Sequence, residues 1–190
     1  MNISYPATRM RRRRQSDWMR RMVQETHLRV EDLIWPIFLQ EENGATDIAS
    51  LPGVQRLGPD RVVDAVGEAK ALGIPAVALF PHVPQELKVE DCSEAWRPDN
   101  LVHRTLRTLS AQVPDIGLIG DVALDPYNPT GQDGLMDQAG RILNDETNEA
   151  LVKQSLALAE AGAHIISPSD MMDGRIAAIR SALDAKGLID

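Results

Sequence analysis

The sequence predicts an α/β fold of four strand–helix units with parallel strands. Three observations carry that prediction. Short runs rich in Val, Ile and Leu alternate with stretches in which apolar residues recur at helical spacing. Glycines such as Gly73, Gly162 and Gly187 close the helical stretches, as left-handed C-terminal stops do. No Asn-Gly hairpin is expected to join one strand to the next, so successive strands run parallel through right-handed crossovers.

The first strand falls in "DLIWPIFL" (residues 32–39), although Pro36 sits awkwardly for a central strand. "LPGVQRL" reads as a turn-rich connection. The helix "PDRVVDAVGEAKALG" follows, with Asp60 in its first turn and Val62, Val63, Val66 and Ala69 on its apolar face. "PAVALF" (residues 75–80) is a short buried strand, and a polar loop leads to the helix "PDNLVHRTLRTLSAQ". "DIGLIGDVAL" is the third strand and "NDETNEALVKQSLALAEAG" the third helix. "HIISPS" is the fourth strand, and "DGRIAAIRSALDAKG" the last helix, with Asp173 as its expected N-cap. A closed α/β barrel takes about eight such units, so four make half of one.

The chain has 190 residues and a net charge of −8, unevenly spread. Residues 1–21 hold seven arginines and one acid, Asp17, for a charge of +6; the rest hold 13 Lys and Arg against 27 Asp and Glu, for −14. Such an arm suits the acidic surface of a neighbouring subunit better than nucleic acid, because it has no series of stacking aromatics, Trp18 being its only tryptophan, and no nucleic-acid-binding motif accompanies it. No apolar run reaches the length of a membrane span and no apolar stretch follows the arginines as in an export signal. With the single Cys92 in a polar loop, that composition implies a cytoplasmic protein. No glycine-rich phosphate loop follows any strand, and the four histidines (His27, His82, His103, His164) lack metal-ligand spacing.

The chemistry concentrates in "GDVALDPYNPTGQDG", residues 120–134. Alternation along a strand places Asp121, Ala123 and Asp125 on one face and Val122 and Leu124 on the other. Asp133 lies in a loop that Pro126, Pro129, Gly131 and Gly134 can fold back over the strand end. Three carboxylates so close cannot all stay ionised without a cation, which points to a divalent metal with oxygen ligands or to a lysine-rich site. The competing reading makes them solvated turn residues. Ser167 and Ser169 share a face at the end of the fourth strand, followed by Asp170, Asp173 and Arg175, with Met171 and Met172 as packing groups.

"DLIWPIF", "LPGVQRL", "GIPAVALFP", "PDNLV", "DVALDPY", "GQDG", "ILNDET" and "SPSDMMDGRI" together resemble the 5-aminolevulinate dehydratase (porphobilinogen synthase) family along the whole chain and in the family's order. The resemblance implies the first half of a (β/α)8 TIM barrel, with residues 1–25 as the arm and residues 26–190 as strands 1–4. It implies a lyase that condenses two 5-aminolevulinate molecules, with loss of water, to porphobilinogen for tetrapyrrole and heme synthesis. It also implies a homo-oligomer, an octamer through the arm. Zinc-dependent members carry cysteines where Ala123, Asp125 and Asp133 stand here, so this sequence resembles the aspartate-rich class: Mg2+ at Asp125 and Asp133, and no catalytic zinc. Carboxylates suit magnesium as thiolates suit zinc. Asp121 and Ser169 match active-site positions of the family. Thr130 departs from the histidine many members have. The family's two Schiff-base lysines fall beyond residue 190, and Lys186 matches neither, so this chain is expected to be inactive alone. A non-catalytic assembly module that uses the arm is the alternative reading, with nucleic-acid binding a weaker third.

Overall fold

The computed structural model describes residues 4–189, so the first three residues of the arm lie outside it. The arm holds a 3-10 turn, Met10–Arg14, and a short helix α1, Asp17–Met22. Neither element buries a residue.

Six strands form one sheet: β1 (Ile34–Leu39), β2 (Ala45–Asp47), β3 (Gln55–Leu57), β4 (Ala76–Pro81), β5 (Gly117–Val122) and β6 (Ile165–Pro168), in the order β2-β3-β1-β4-β5-β6. The β1-β4-β5-β6 portion is parallel throughout, as the sequence predicts. The helices are α2 (Pro59–Ala71), α3 (Leu101–Gln112), α4 (Asn144–Glu160) and α5 (Arg175–Ala185). Gly73, Gly162 and Gly187, just past α2, α4 and α5, all have positive φ, the left-handed turn that glycine makes without strain.

The connection after β1 departs from expectation. "LPGVQRL" is more than a turn: Gln55–Leu57 is a strand, antiparallel to β2 and parallel to the end of β1. Three-residue strands carry too little periodicity to be read from sequence. This addition covers the outer edge of β1 only at Phe38 and Leu39. At Pro36 the strand has a partner on the β4 side alone, which accommodates a residue without an N–H. The open edges among the described residues are therefore β2 and β6, the fourth predicted strand, while β1 is covered in part by β3.

The core lies between sheet and helices. Val62 and Val66 of α2, Leu106 and Leu109 of α3, and Leu151 and Leu158 of α4 meet Leu79, Leu118 and Val122 of the sheet, all essentially inaccessible. Cys92, read as a loop thiol, and Asp173, read as a helix cap, both depart from expectation. Cys92 is fully buried, and its thiol is pushed up to about 11 by burial and then by Asp91. Asp173 does not cap α5: Gly174 holds the N-cap position and makes no side-chain cap. Asp173 instead is latched to α4, its N–H donating to Asn144 Oδ1 (2.8 Å) and its carbonyl accepting from Asn148 Nδ2 (2.8 Å).

Candidate active site

The carboxyl ends of β5 and β6 are adjacent, with Asp121 paired in register to Ser167 and Val122 to Pro168. β5 stops at Val122, two residues short of the predicted end, so Asp125 sits in a turn rather than on the strand. Asp125 nevertheless lies near enough to Asp121 for its charge to act there. Val122 and Leu124 are buried in the core on the helix side, and Asp121 and Asp125 are each half-buried.

Burial, followed by the charges of Asp125, Asp133 and Asp170, raises the Asp121 carboxyl to about 6, against a downward pull from the Ser169 hydroxyl as hydrogen-bond partner. Asp125 is raised too, by burial and then by Asp133, with the Lys88 charge acting in the opposite direction. Asp121, Asp125, Asp133 and Ser169, the four residues singled out in the sequence, thus share one electrostatic neighbourhood. A carboxyl that titrates near neutrality beside a hydroxyl can take up and return a proton at physiological pH.

Several supporting residues carry no motif that sequence reading could exploit. Asn128, buried, organises the loop towards Asp133: its Oδ1 accepts from the Thr130 N–H (2.9 Å) and hydroxyl (2.8 Å), and its Nδ2 donates to the Gly134 carbonyl (3.4 Å). Gly134 is closely packed: a Cβ there would lie 2.7 Å from Ile142 Cγ2, so a larger residue would have to displace that side chain. Lys88, in the polar loop after β4, acts on Asp125 because Val89 N–H donates to the Tyr127 carbonyl (3.3 Å) and draws its loop over the turn. Tyr127 is fully buried beneath, its hydroxyl held protonated by burial.

Among the described residues, no three of His, Cys, Asp and Glu gather into a metal-holding group. The donor chemistry still suits a hard cation: Asp125 and Asp133 offer only oxygen and repel each other. Magnesium is commonly held by one or two carboxylates with water completing its shell. No helix among the described residues is long and apolar enough to cross a membrane.

The comparisons with known proteins converge on one family. A family profile described as Delta-aminolevulinic acid dehydratase matches residues 7–190. The chain is 52% identical over 185 residues to a delta-aminolevulinic acid dehydratase of Bradyrhizobium diazoefficiens, covering 97% of this chain and 52% of that protein. It is 45% identical to one from Rhodobacter capsulatus, covering 96% of this chain and 55% of the relative. The crystal structure of delta-aminolevulinic acid dehydratase (porphobilinogen synthase) from Toxoplasma gondii ME49 in complex with the reaction product porphobilinogen superposes with a TM-score of 0.93 at 44% identity, over 96% of this chain and 52% of that one. The chain therefore spans about half the length of the curated relatives it matches. By the extent of these matches, the chain belongs to the delta-aminolevulinic acid dehydratase family.

Proposed function

We propose that this chain forms part of an enzyme that condenses two 5-aminolevulinate molecules to porphobilinogen with loss of water, a lyase of tetrapyrrole synthesis. The observation that carries the reading is that Asp121, at the end of β5, has as its side-chain partner Ser169, the residue just past the adjacent strand β6, in a fold that superposes on a porphobilinogen-bound relative. Asp121, titrating near 6, serves as proton acceptor and donor, and the Ser169 hydroxyl orients it. Asp125 and Asp133 hold Mg2+, which when bound offsets their repulsion and supplies a Lewis acid. Catalytic zinc is not part of this reading, because no thiol accompanies them: Cys92 is the only cysteine and lies in the core.

The parallel β1-β4-β5-β6 sheet is read as the first half of a (β/α)8 barrel, in which β6 pairs with the next strand of a longer polypeptide. Strand-end placement of the site agrees with that architecture. The Schiff-base lysines then belong to the other half. The arm joins copies into a homo-oligomer, the octamer of the family. It sets seven arginines beside the exposed Met10, Trp18 and Met22, and the rest of the chain carries −14. The protein is placed in the cytoplasm, without nucleic-acid or membrane partners.

The test uses a polypeptide of the relatives' full length that carries these 190 residues. With 5-aminolevulinate it is expected to form porphobilinogen, to be stimulated by magnesium and to withstand a zinc-selective chelator. Asp121→Asn and Ser169→Ala are expected to lower kcat by about 100-fold or more, as loss of positioned acid–base groups does. Activity restored only by zinc would refute the metal assignment, and wild-type kcat in both variants would refute the site. Deleting residues 1–21 is expected to give smaller assemblies in gel filtration.

A further inference from the structure

The turn after β6 is closed by a buried ion pair that the reaction as described does not use. Asp170 has no exposed side-chain surface, and its Oδ1 lies 2.6 Å from Arg175 Nε. Neither atom has a hydrogen-bond partner, so charge rather than an aligned hydrogen bond holds the contact. The other ends of both side chains grip one residue: Met172 N–H donates to Asp170 Oδ2 (2.8 Å), and Arg175 Nη1 donates to the Met172 carbonyl (2.8 Å). Residues 170, 172 and 175 thereby form a closed clamp. Met172 itself is buried, while Met171 projects into solvent.

A buried ion pair is a poor way to gain stability, because desolvation offsets most of the attraction and apolar packing of equal volume would serve as well. It is a good way to fix a turn in one geometry. The residue immediately before the clamp is Ser169, whose N–H donates to the Val122 carbonyl across 3.2 Å. On the far side the turn is fastened independently, through Asp173 to Asn144 and Asn148 of α4. Ser169 is therefore held on one side by β5 and on the other by the clamp. We propose that the Asp170–Arg175 pair is a positioning device, fixing the turn so that the Ser169 hydroxyl is presented to Asp121. Arg175 has a second effect in the same place: it compensates Asp170, one of the three carboxylates, with Asp125 and Asp133, that surround Asp121. The inference rests on Asp121 and Ser169 being site residues.

Its test reads the geometry directly and needs no turnover. The Asp121 carboxyl is titrated by carbon-13 NMR in the 190-residue chain, without divalent cations, in a cycle of Ser169→Ala against the clamp. With the clamp intact, Ser169→Ala is expected to raise the Asp121 midpoint by about half a pH unit, the effect of losing one hydrogen bond to the ionised form. In the Asp170→Asn/Arg175→Gln background, which removes both charges together, the same change is expected to shift nothing, because Ser169 no longer reaches Asp121. An equal shift in both backgrounds would overturn the positioning role. Should the double variant not fold, Arg175→Lys decides: it keeps the charge and loses the fork to Asp170 and Met172. There the Ser169→Ala shift is expected to shrink by half or more, and an undiminished shift would refute the clamp. Failure of the full-length enzyme to make porphobilinogen would count against the proposed function and leave this outcome unaffected.

Discussion

The side-chain amide of Gln154, in the middle of α4, donates to the main-chain carbonyl of Ala123 across 3.2 Å. Ala123 lies between Asp121 and Asp125, so a buried helix residue fixes the turn that bears the carboxylates. The same side chain meets the buried Tyr127 hydroxyl. Gln154→Leu fits the space but leaves the Ala123 carbonyl without its partner inside the protein. The expected cost is about 1–3 kcal/mol, the usual cost of an unsatisfied buried polar group, read as a lower urea midpoint at unchanged m-value. An unchanged midpoint would show that the turn is held by the sheet alone.

Asp121 makes stability depend on pH with a defined sign. Its folded carboxyl is raised from 3.8 to about 6, chiefly by burial, so the folded state binds this proton more tightly than the unfolded chain. Below the unfolded value both states are protonated and the group is neutral in its effect. As pH rises from the unfolded value to about 6 the unfolded chain ionises first and stability falls, the penalty being complete above about 6. Asp121→Asn cannot ionise. Near pH 7, without divalent cations, it is expected to be more stable than the parent by about 1–3 kcal/mol. The advantage should vanish by about pH 4. Urea unfolding at the two pH values checks this, and an advantage independent of pH would place the Asp121 carboxyl in the ordinary range.

What the sequence reveals and what it conceals follow from the range of the forces involved. Asp121 and Ser169 are legible because strand periodicity and chain order bring parallel strand ends together. Asp125 is reached for a partly different reason than strand alternation supplies, since β5 ends at Val122 and the residue sits in a turn. Asn128, Gln154 and Lys88 are opaque, because each acts through a contact set by tertiary packing: a loop carbonyl, a strand carbonyl and a neighbouring charge. Asp173 misleads for the opposite reason. It has the residue type of a cap, but Asn144 and Asn148 from another helix claim its backbone.

The β6 edge governs the behaviour of the isolated chain. Among the described residues no strand pairs with its outer side, and beside it a cavity of about 410 Å³ opens between β6 and α5, lined by Ile165, Ile176, Ile179, Leu183 and Leu188. Ile165 is 49% exposed and Ile176 58%. An unpaired edge next to apolar surface is a template for another copy. The 190-residue chain is expected to self-associate in sedimentation velocity, and Ile165→Lys to shift it towards monomer, since a charge on an edge strand opposes edge pairing. A wild-type chain that stays monomeric at high concentration would refute this.

The isolated chain is also expected to form no Schiff base with 5-aminolevulinate. That adduct needs a lysine amine at the site, activated by burial or a neighbouring cation. The chain has four lysines, and three are committed to the helical layer. Lys70, at the end of α2, donates to the Pro114 carbonyl. Lys153 on α4 stands over the Trp96 ring at 5.4 Å from its centroid. Lys186, just past α5, lies 3.9 Å from Glu160 Oε1. Lys88 alone influences the carboxylates, and its charge acts on Asp125 as a counter-ion, the opposite of the cationic setting that frees an amine. Borohydride treatment with 5-aminolevulinate should therefore leave the chain at its unmodified mass, while the full-length polypeptide is trapped under the same conditions. A label on the isolated chain that mapped to Lys88 and disappeared in Lys88→Arg would overturn the argument and move the nucleophile into this half.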